Sequence, residues 1–466
     1  MVTRYLKLAL PFIWASLLYN ISVADMPPQG WHIFIVFSST IIGIMLRIFP
    51  IAVVALLGLT VSISLGILDI KNQAFLGFGV PTVWLVGFVF FIAKGLIHSR
   101  LGERIAYYFI MLAGKTPLRL AYALLFSEVV CAPFIPSSTA RAGGISLPIL
   151  QSIHTLFERD SRKDSHIMSF LTQVVFHANI VCSSLFLTGM VSNPLAQSLA
   201  HQLGVNFGWI DWFKITCVPG FLCLILGPLV VFWKDRPILK NPQAIQDMAR
   251  EKLVHLGTIS WNEIKMVIIL ILMLTLWIFG DRFGIAAASV ALLGLVLCLI
   301  TQLIRFEDIL EETKAWETML WLSILITMSM ALKSYGFIEA LTCHMQELIS
   351  GKPIIIALLG ILTFYYWSGY FFASNSAHIS ALYVSFLGLI ISLGVVPPML
   401  AGVVLTVFSG LYSSGTHYGS TSGSVLFSAG FVSVKTWWHI GFIIALMNFL
   451  IWLSIGPFWW HLLGIL

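Results

Sequence analysis

Two short polar strings interrupt the hydrophobic runs of this chain, about half a chain apart. Ser137-Ser138-Thr139-Ala140-Arg141 stands in the first half and Ser374-Asn375-Ser376-Ala377-His378 in the second. Each offers hydroxyl or amide donors followed by a group able to carry positive charge. That is chemistry for holding an anion, and its repetition points to a site built from two repeats. Both strings open a helix, for which Thr139 and Ser376 have the residue types of N-caps. A helix N-terminus turns partial positive charge toward a ligand. Two such ends suit an anion with two charged groups. Arg141 and His378, in the first turn, oppose the helix dipole, and an arginine at the bilayer centre costs roughly 2.5–3.5 kcal/mol on insertion scales. A substrate carboxylate, or the need to replace a metal cation, gives a reason for them that local structure does not.

A second polar interruption follows each string. Thr188-Gly189-Met190-Val191-Ser192-Asn193-Pro194 breaks one apolar run, and Ser413-Ser414-Gly415-Thr416-His417-Tyr418-Gly419-Ser420 another. Gly and Pro release backbone groups that the neighbouring hydroxyls and amides can satisfy. Thr188, Asn193, Thr416 and His417 are therefore candidate site residues. His177, mid-run, reads as a core histidine on a carbonyl. Glu128 and Lys94 sit in apolar surroundings, where each could pair with the other or with a tip. No H-E-x-x-H occurs, nor a G-x-S-x-G with a plausible partner set, so an enzyme is not expected. The cysteines Cys131, Cys182, Cys217, Cys223, Cys298 and Cys343 have no C-x-x-C spacing and read as buried, inert thiols, with no disulfide framework and no metal centre.

The elements that must position these residues are helices in lipid. Of 466 residues 59% are hydrophobic and 10% charged, with a mean hydropathy of +0.95, against about 25% charged in a soluble domain. Runs near the spanning length recur: Trp31 to Leu46, Ile51 to Ile67, Trp84 to Ile97, Ile167 to Leu187, Ile215 to Phe232, Met266 to Phe279, Ile285 to Ile304, Leu320 to Leu332, Met399 to Tyr412 and Trp438 to Ile455. Met1 to Tyr19 reads as a first spanning or interfacial helix rather than a signal peptide, because no A-x-A-like site follows it. An Arg/Ser-rich transit segment is also lacking, which argues for a bacterial inner membrane over an imported organelle protein. Trp84, Trp316, Trp321, Trp437, Trp438, Trp459 and Trp460 are expected as interfacial anchors.

Charge supplies the topology. Arg100, Arg104, Lys115 and Arg119 form one basic loop, and Arg159, Arg162 and Lys163 the next. Lys234, Arg236, Lys240, Arg250, Lys252 and Lys265 form a third. The positive-inside rule puts all three in the cytoplasm, so the net charge of +6 is no nucleic-acid signature. The acidic stretch Phe306 to Glu317 should share that side; acidic residues weigh little in the rule. Between the first two loops, residues 120–156 must enter and return as a re-entrant hairpin with the first string at its tip, lining a cavity. Residues 353–393 repeat the plan from the opposite face. The expected architecture is an all-α polytopic membrane protein of about eleven spans and two re-entrant hairpins, in two inverted repeats. Its parts are residues 1–31 (N-terminal helix and loop), 32–233 (repeat 1), 234–265 (cytoplasmic linker) and 266–466 (repeat 2), with the N-terminus inside and the C-terminus outside.

These strings resemble the divalent anion:sodium symporters, which carry a Ser-Asn-Thr motif at each of two hairpin tips. Pro136-Ser137-Ser138-Thr139-Ala140-Arg141-Ala142-Gly143-Gly144, Leu147-Pro148-Ile149, Phe186-Leu187-Thr188-Gly189-Met190 with Asn193, Tyr370-Phe371-Phe372-Ala373-Ser374-Asn375-Ser376-Ala377-His378 and Thr416-His417-Tyr418 are similar to the 2-oxoglutarate/malate translocator and citrate/succinate exchanger branch. The resemblance implies transport of C4–C5 dicarboxylates by an elevator motion, a homodimer in lipid, and substrate contacts from Ser137, Ser138, Thr139, Arg141, Thr188, Asn193, Ser374, Asn375, Ser376, His378, Thr416 and His417. Sodium-coupled members bind two sodium ions beside the motifs. Here Ser138 replaces the first Asn, and Arg141 and His378 put positive groups beside both positions. The expectation is a sodium-independent antiporter in which tethered cations do the ions' work. The alternative is a sodium-coupled dicarboxylate symporter, with Asn375 and Ser374 as the sodium ligands. No other cofactor is implied.

Overall fold

A computed structural model describes residues 2–21, 26–46, 49–156, 165–239, 241–349, 351 and 353–466. The basic loop of Arg159, Arg162 and Lys163, together with Lys240 and Met1, lies outside them. Every described element is helical, with no strand among the described residues. Among the described residues ten helices are long and apolar enough to cross a membrane, and Ala9–Tyr19, Ile51–Ser64 and Ala287–Ile300 are shorter apolar helices. Each of the ten expected spans falls on a helix. The chain is a multi-pass integral membrane protein.

The described chain forms two compact units, each drawn from several segments: residues 1–87, 194–207 and 312–409, and residues 88–193, 208–311 and 410–466. Each therefore takes sequence from both sides of the 234–265 segment. That segment, expected as a polar linker, contains a helix, Pro242–Leu256, capped by Asn241 accepting from the Ala244 amide at 3.1 Å. Its apolar residues Ile245, Met248 and Ala249 are buried, which explains why a charged segment folds. Arg104, assigned by sequence to a loop, lies in the helix Leu101–Ala113. It ion-pairs with buried Glu263 and donates to the Gly257 carbonyl at 3.0 Å, closing the end of the linker helix.

In the first unit, the helices Pro28–Met45, Ile51–Ser64 and Thr313–Ser334 pack together. Phe34 stacks on Phe337 at 4.4 Å, and Tyr335 Oη donates to the Ile67 carbonyl at 2.7 Å. This unit holds the second hairpin, whose arms meet through Tyr365 and Phe386 at 5.2 Å.

In the second unit, the core helix is Ser165–Leu185, almost wholly buried. Trp209–Asp235, with Pro219 and Pro228 inside it, lies alongside. Gly227 permits that approach, since a Cβ there would overlap the His177 ring. His177 Nε2 meets the Cys223 carbonyl at 2.9 Å, the core position expected. Two expectations fail on burial. Trp321, Trp437 and Trp460 are buried in protein instead of anchoring at an interface, and Trp437 packs on Phe176 at 4.9 Å. Among the cysteines Cys343 is exposed and Cys217 half-buried, while the other four are buried.

Candidate functional site

Both polar strings sit at the breaks of helical hairpins, and the two breaks are built alike. The first hairpin runs from Pro117–Cys131 to a return arm of four α-helical residues, Ser138–Arg141, five π-helical residues, Ala142–Ser146, and the helix Leu147–Thr155. The second runs from Ile354–Ser368 to Asn375–His378, the π turn Ile379–Tyr383 and the helix Val384–Leu393. Arg141 and His378 thus hold the same place, immediately before a π turn, an insertion common at functional sites. The caps lie two residues earlier than expected. Ser137 and Ser374 have extended backbone and occupy the N-cap positions, so Thr139 and Ser376 are already helical. Ser137 Oγ accepts from the Ala140 amide at 3.1 Å, whereas the Ser374 side chain makes no cap bond.

Arg141 is fully buried and its donors are committed to protein. Nε donates to Glu128 Oε1 at 2.6 Å, and Nη2 to Ser183 Oγ at 2.5 Å. Nη1 donates to the Ile135 carbonyl at the tip and to the Gly189 carbonyl at 2.8 Å, in the break after the core helix. Asn179 Nδ2 joins the cluster, donating to Glu128 Oε1 at 2.8 Å and to the Ser138 carbonyl at 3.0 Å. Ser183 Oγ passes its own hydrogen to the Asn179 carbonyl at 2.6 Å. Of the two partners the sequence allowed Glu128, Lys94 or a tip, it takes the tip cation across the hairpin. The signal for Asn179 and Ser183 was their spacing of four on an otherwise apolar helix, which places them on one face.

The break after the core helix is closed by the same logic of satisfied carbonyls. Asn193 Nδ2 donates to the Ser183 and Phe186 carbonyls at 2.7 and 2.9 Å. Trp212 Nε1 serves Ser184, and Thr216 Oγ1 serves Leu185. Thr188 Oγ1 donates to the Pro133 carbonyl at 2.7 Å, tying break to tip. The later break is more local. Thr416 Oγ1 accepts from the Gly419 amide at 2.9 Å, and His417 Nδ1 accepts from Trp438 Nε1 at 3.1 Å. Gly441 lets the helix Val434–Leu462 approach, since a Cβ there would lie 2.6 Å from the Ser414 carbonyl.

His378, also fully buried, is surrounded by hydroxyls instead of charge. Nε2 lies 3.0 Å from Ser368 Oγ, and Nδ1 lies 2.9 Å from Ser409 Oγ, which meets Tyr365 Oη at 2.7 Å. Ser368 Oγ also donates to the Tyr365 carbonyl at 2.8 Å, and Ser409 Oγ to the Leu405 carbonyl at 3.1 Å.

Burial sorts the twelve expected site residues. Ser137, Ser138, Thr139, Ser374, Asn375, Ser376 and His417 are half-buried, whereas Arg141, Thr188, Asn193, His378 and Thr416 are fully buried. Only the first group is partly exposed. Sequence reasoning missed Asn179, Ser183, Ser368 and Ser409, all held on neighbouring helices.

Two broken hairpins, and two polar breaks elsewhere, define a membrane carrier of the secondary-transporter type. The sodium:sulfate symporter transmembrane region family matches residues 3–466, and the chain belongs to that family. It is a transporter and not an enzyme. It is 40% identical to a putative malate transporter, YflS, of Bacillus subtilis (strain 168), over 95% of this chain and 93% of that one. It is 38% identical to dicarboxylate transporter 1, chloroplastic, of Spinacia oleracea, over 97% and 81%. In fold it is similar to the Neisseria gonorrhoeae MtrF efflux pump, with a TM-score of 0.59 at 12% identity over 98% of this chain and 94% of that one. The Alcanivorax borkumensis YdaH transporter gives 0.54 at 14% over 83% and 86%.

Proposed function

We propose that this transporter exchanges C4–C5 dicarboxylates, of the 2-oxoglutarate and malate kind, without sodium and by an elevator motion. The observation that carries the reading is the seat of Arg141. Carriers of this type hold sodium with unwound backbone carbonyls. Here a guanidinium takes the Ile135 and Gly189 carbonyls and the Ser183 hydroxyl. A tethered cation in that place removes the need for a free one. The dicarboxylate names of the two relatives support the substrate class.

In this reading Ser137, Ser138 and Thr139 of one tip, and Ser374, Asn375 and Ser376 of the other, bind substrate directly, with His417. Arg141, Thr188, Asn193, His378 and Thr416 hold those segments in shape and set their field. The carrier works as a homodimer in a bacterial inner membrane. A second reading, sodium-coupled symport, draws on Ser374, whose side chain makes no cap bond and stands half-buried beside Asn375. Counterflow in proteoliposomes separates the two. Labelled malate should enter vesicles loaded with 2-oxoglutarate or malate equally well with and without sodium. Uptake into empty vesicles that requires external sodium would sink the exchange reading in favour of symport. No dicarboxylate uptake in either format would remove the substrate class.

A further inference from the structure

A carrier with a free arginine at its tip would cross the membrane positively charged when empty. The Arg141 seat removes that picture. Glu128 Oε1 accepts from Arg141 Nε at 2.6 Å, the arginine is fully buried and the glutamate 4% exposed. Neither takes a second ion-pair partner among the described residues. The nearby titratable side chains are the thiols of Cys131 and Cys182. The same carboxylate oxygen also accepts from Asn179 Nδ2 at 2.8 Å. Glu128 and Arg141 lie on the two arms of one hairpin, so whatever moves one moves the other.

We propose that Glu128 sets the electrical charge of this carrier: it holds the first tip at net zero, so that the charge crossing with a bound dicarboxylate is that of the substrate. This rests on the dicarboxylate-exchange reading. It assigns Glu128 the role of a positioning and charge-setting residue that does not touch substrate. Two consequences follow from Coulomb's law. Removing the carboxylate's charge leaves one uncompensated positive charge behind the tip, which should tighten binding of a dianion. It should also lower by one the number of charges that move with the loaded carrier. A merely structural role for Glu128 predicts the opposite for binding, because a loosened tip binds more weakly.

The test compares wild type, Glu128→Gln and the double variant Glu128→Gln with Arg141→Gln. Malate binding is measured in detergent by calorimetry at a pH where malate is fully ionised. Displaced charge is measured on solid-supported membranes after a malate concentration jump. Expected is a Kd for Glu128→Gln lower by about a hundredfold, the effect of one extra positive charge on a dianion for a separation of roughly 12 Å at an effective dielectric constant of about 20. The double variant, again neutral, should return toward the wild-type Kd. Displaced charge per carrier should fall in Glu128→Gln from about two toward one. Weaker or unchanged binding in Glu128→Gln overturns the proposal, as does unchanged displaced charge in an active Glu128→Gln protein. Should Glu128→Gln fail to fold, Glu128→Asp decides. It keeps the tip neutral and should displace about two charges, and any other value overturns the proposal. Wild type that neither binds malate nor performs counterflow would refute the functional reading instead, a result distinct from all of these.

Discussion

The two hairpin tips share a backbone and differ in what surrounds the residue before the π turn. At the first tip a permanent cation meets a carboxylate, two carbonyls and a hydroxyl. At the second an imidazole meets two serine hydroxyls, one of them bonded to a tyrosine. The first is a charged cluster that is neutral overall and strongly held. The second is a polar cluster without fixed charge. Removing a member of a buried ion pair strands the other charge, whereas removing a member of a hydroxyl network leaves only unmet hydrogen bonds. The two tips should therefore respond to the same kind of mutation with different force.

The largest expected effect is at the first tip. Arg141→Ala strands Glu128 and frees two carbonyls, and should destabilise by roughly 3–5 kcal/mol and abolish counterflow. Thermal unfolding in detergent and vesicle assays check both; a folded, active Arg141→Ala protein would erase the distinction between the tips. His378→Ala comes next. It leaves Ser368 and Ser409 without their ring partner and should cost about 1–3 kcal/mol, while lowering exchange. If transport then becomes sodium-dependent, the second tip is where an ion can substitute for a side chain.

A smaller contrast concerns the breaks. Thr188→Val removes the bond from break to tip and should cost about 1 kcal/mol and slow exchange. Thr416→Val removes only a local turn bond with Gly419 and should lower the melting temperature less. Equal losses would show that the later break is held as tightly as the earlier one. Smallest of all is the cap pair. Ser137→Ala loses a helix cap at a cost of about 1 kcal/mol, whereas Ser374→Ala loses none. A large loss of transport in Ser374→Ala with unchanged unfolding would mark that hydroxyl as a ligand group rather than a structural one.

The spans were legible because each is a long apolar run, and lipid leaves a backbone no option but helix. The hairpin breaks were legible for the same reason, since a polar string in such a run must line something polar. The N-caps were misplaced by two residues, because Ser137, Ser138 and Thr139 are equally good caps and only backbone geometry chooses among them. Trp321, Trp437 and Trp460 were misread because a tryptophan at the end of a run can face headgroups or protein. The helix Pro242–Leu256 was hidden by its charge, although its apolar residues fall on one face.

What the amino-acid sequence determined by itself is the medium, the helices, the paired breaks and the basic side chain at each. Composition and period act locally, and the bilayer allows few responses to them. What only the tertiary structure decided is the partner of each basic side chain. Glu128 is thirteen positions from Arg141, and Ser183 and Gly189 lie more than forty away, brought together by a core helix that no local pattern orients. The two π turns make the same point. One contains Gly143 and Gly144, whereas the other, Ile379–Tyr383, contains no glycine at all. The same backbone from such different residues reflects packing demands on the return arm, not the preferences of the residues that form it.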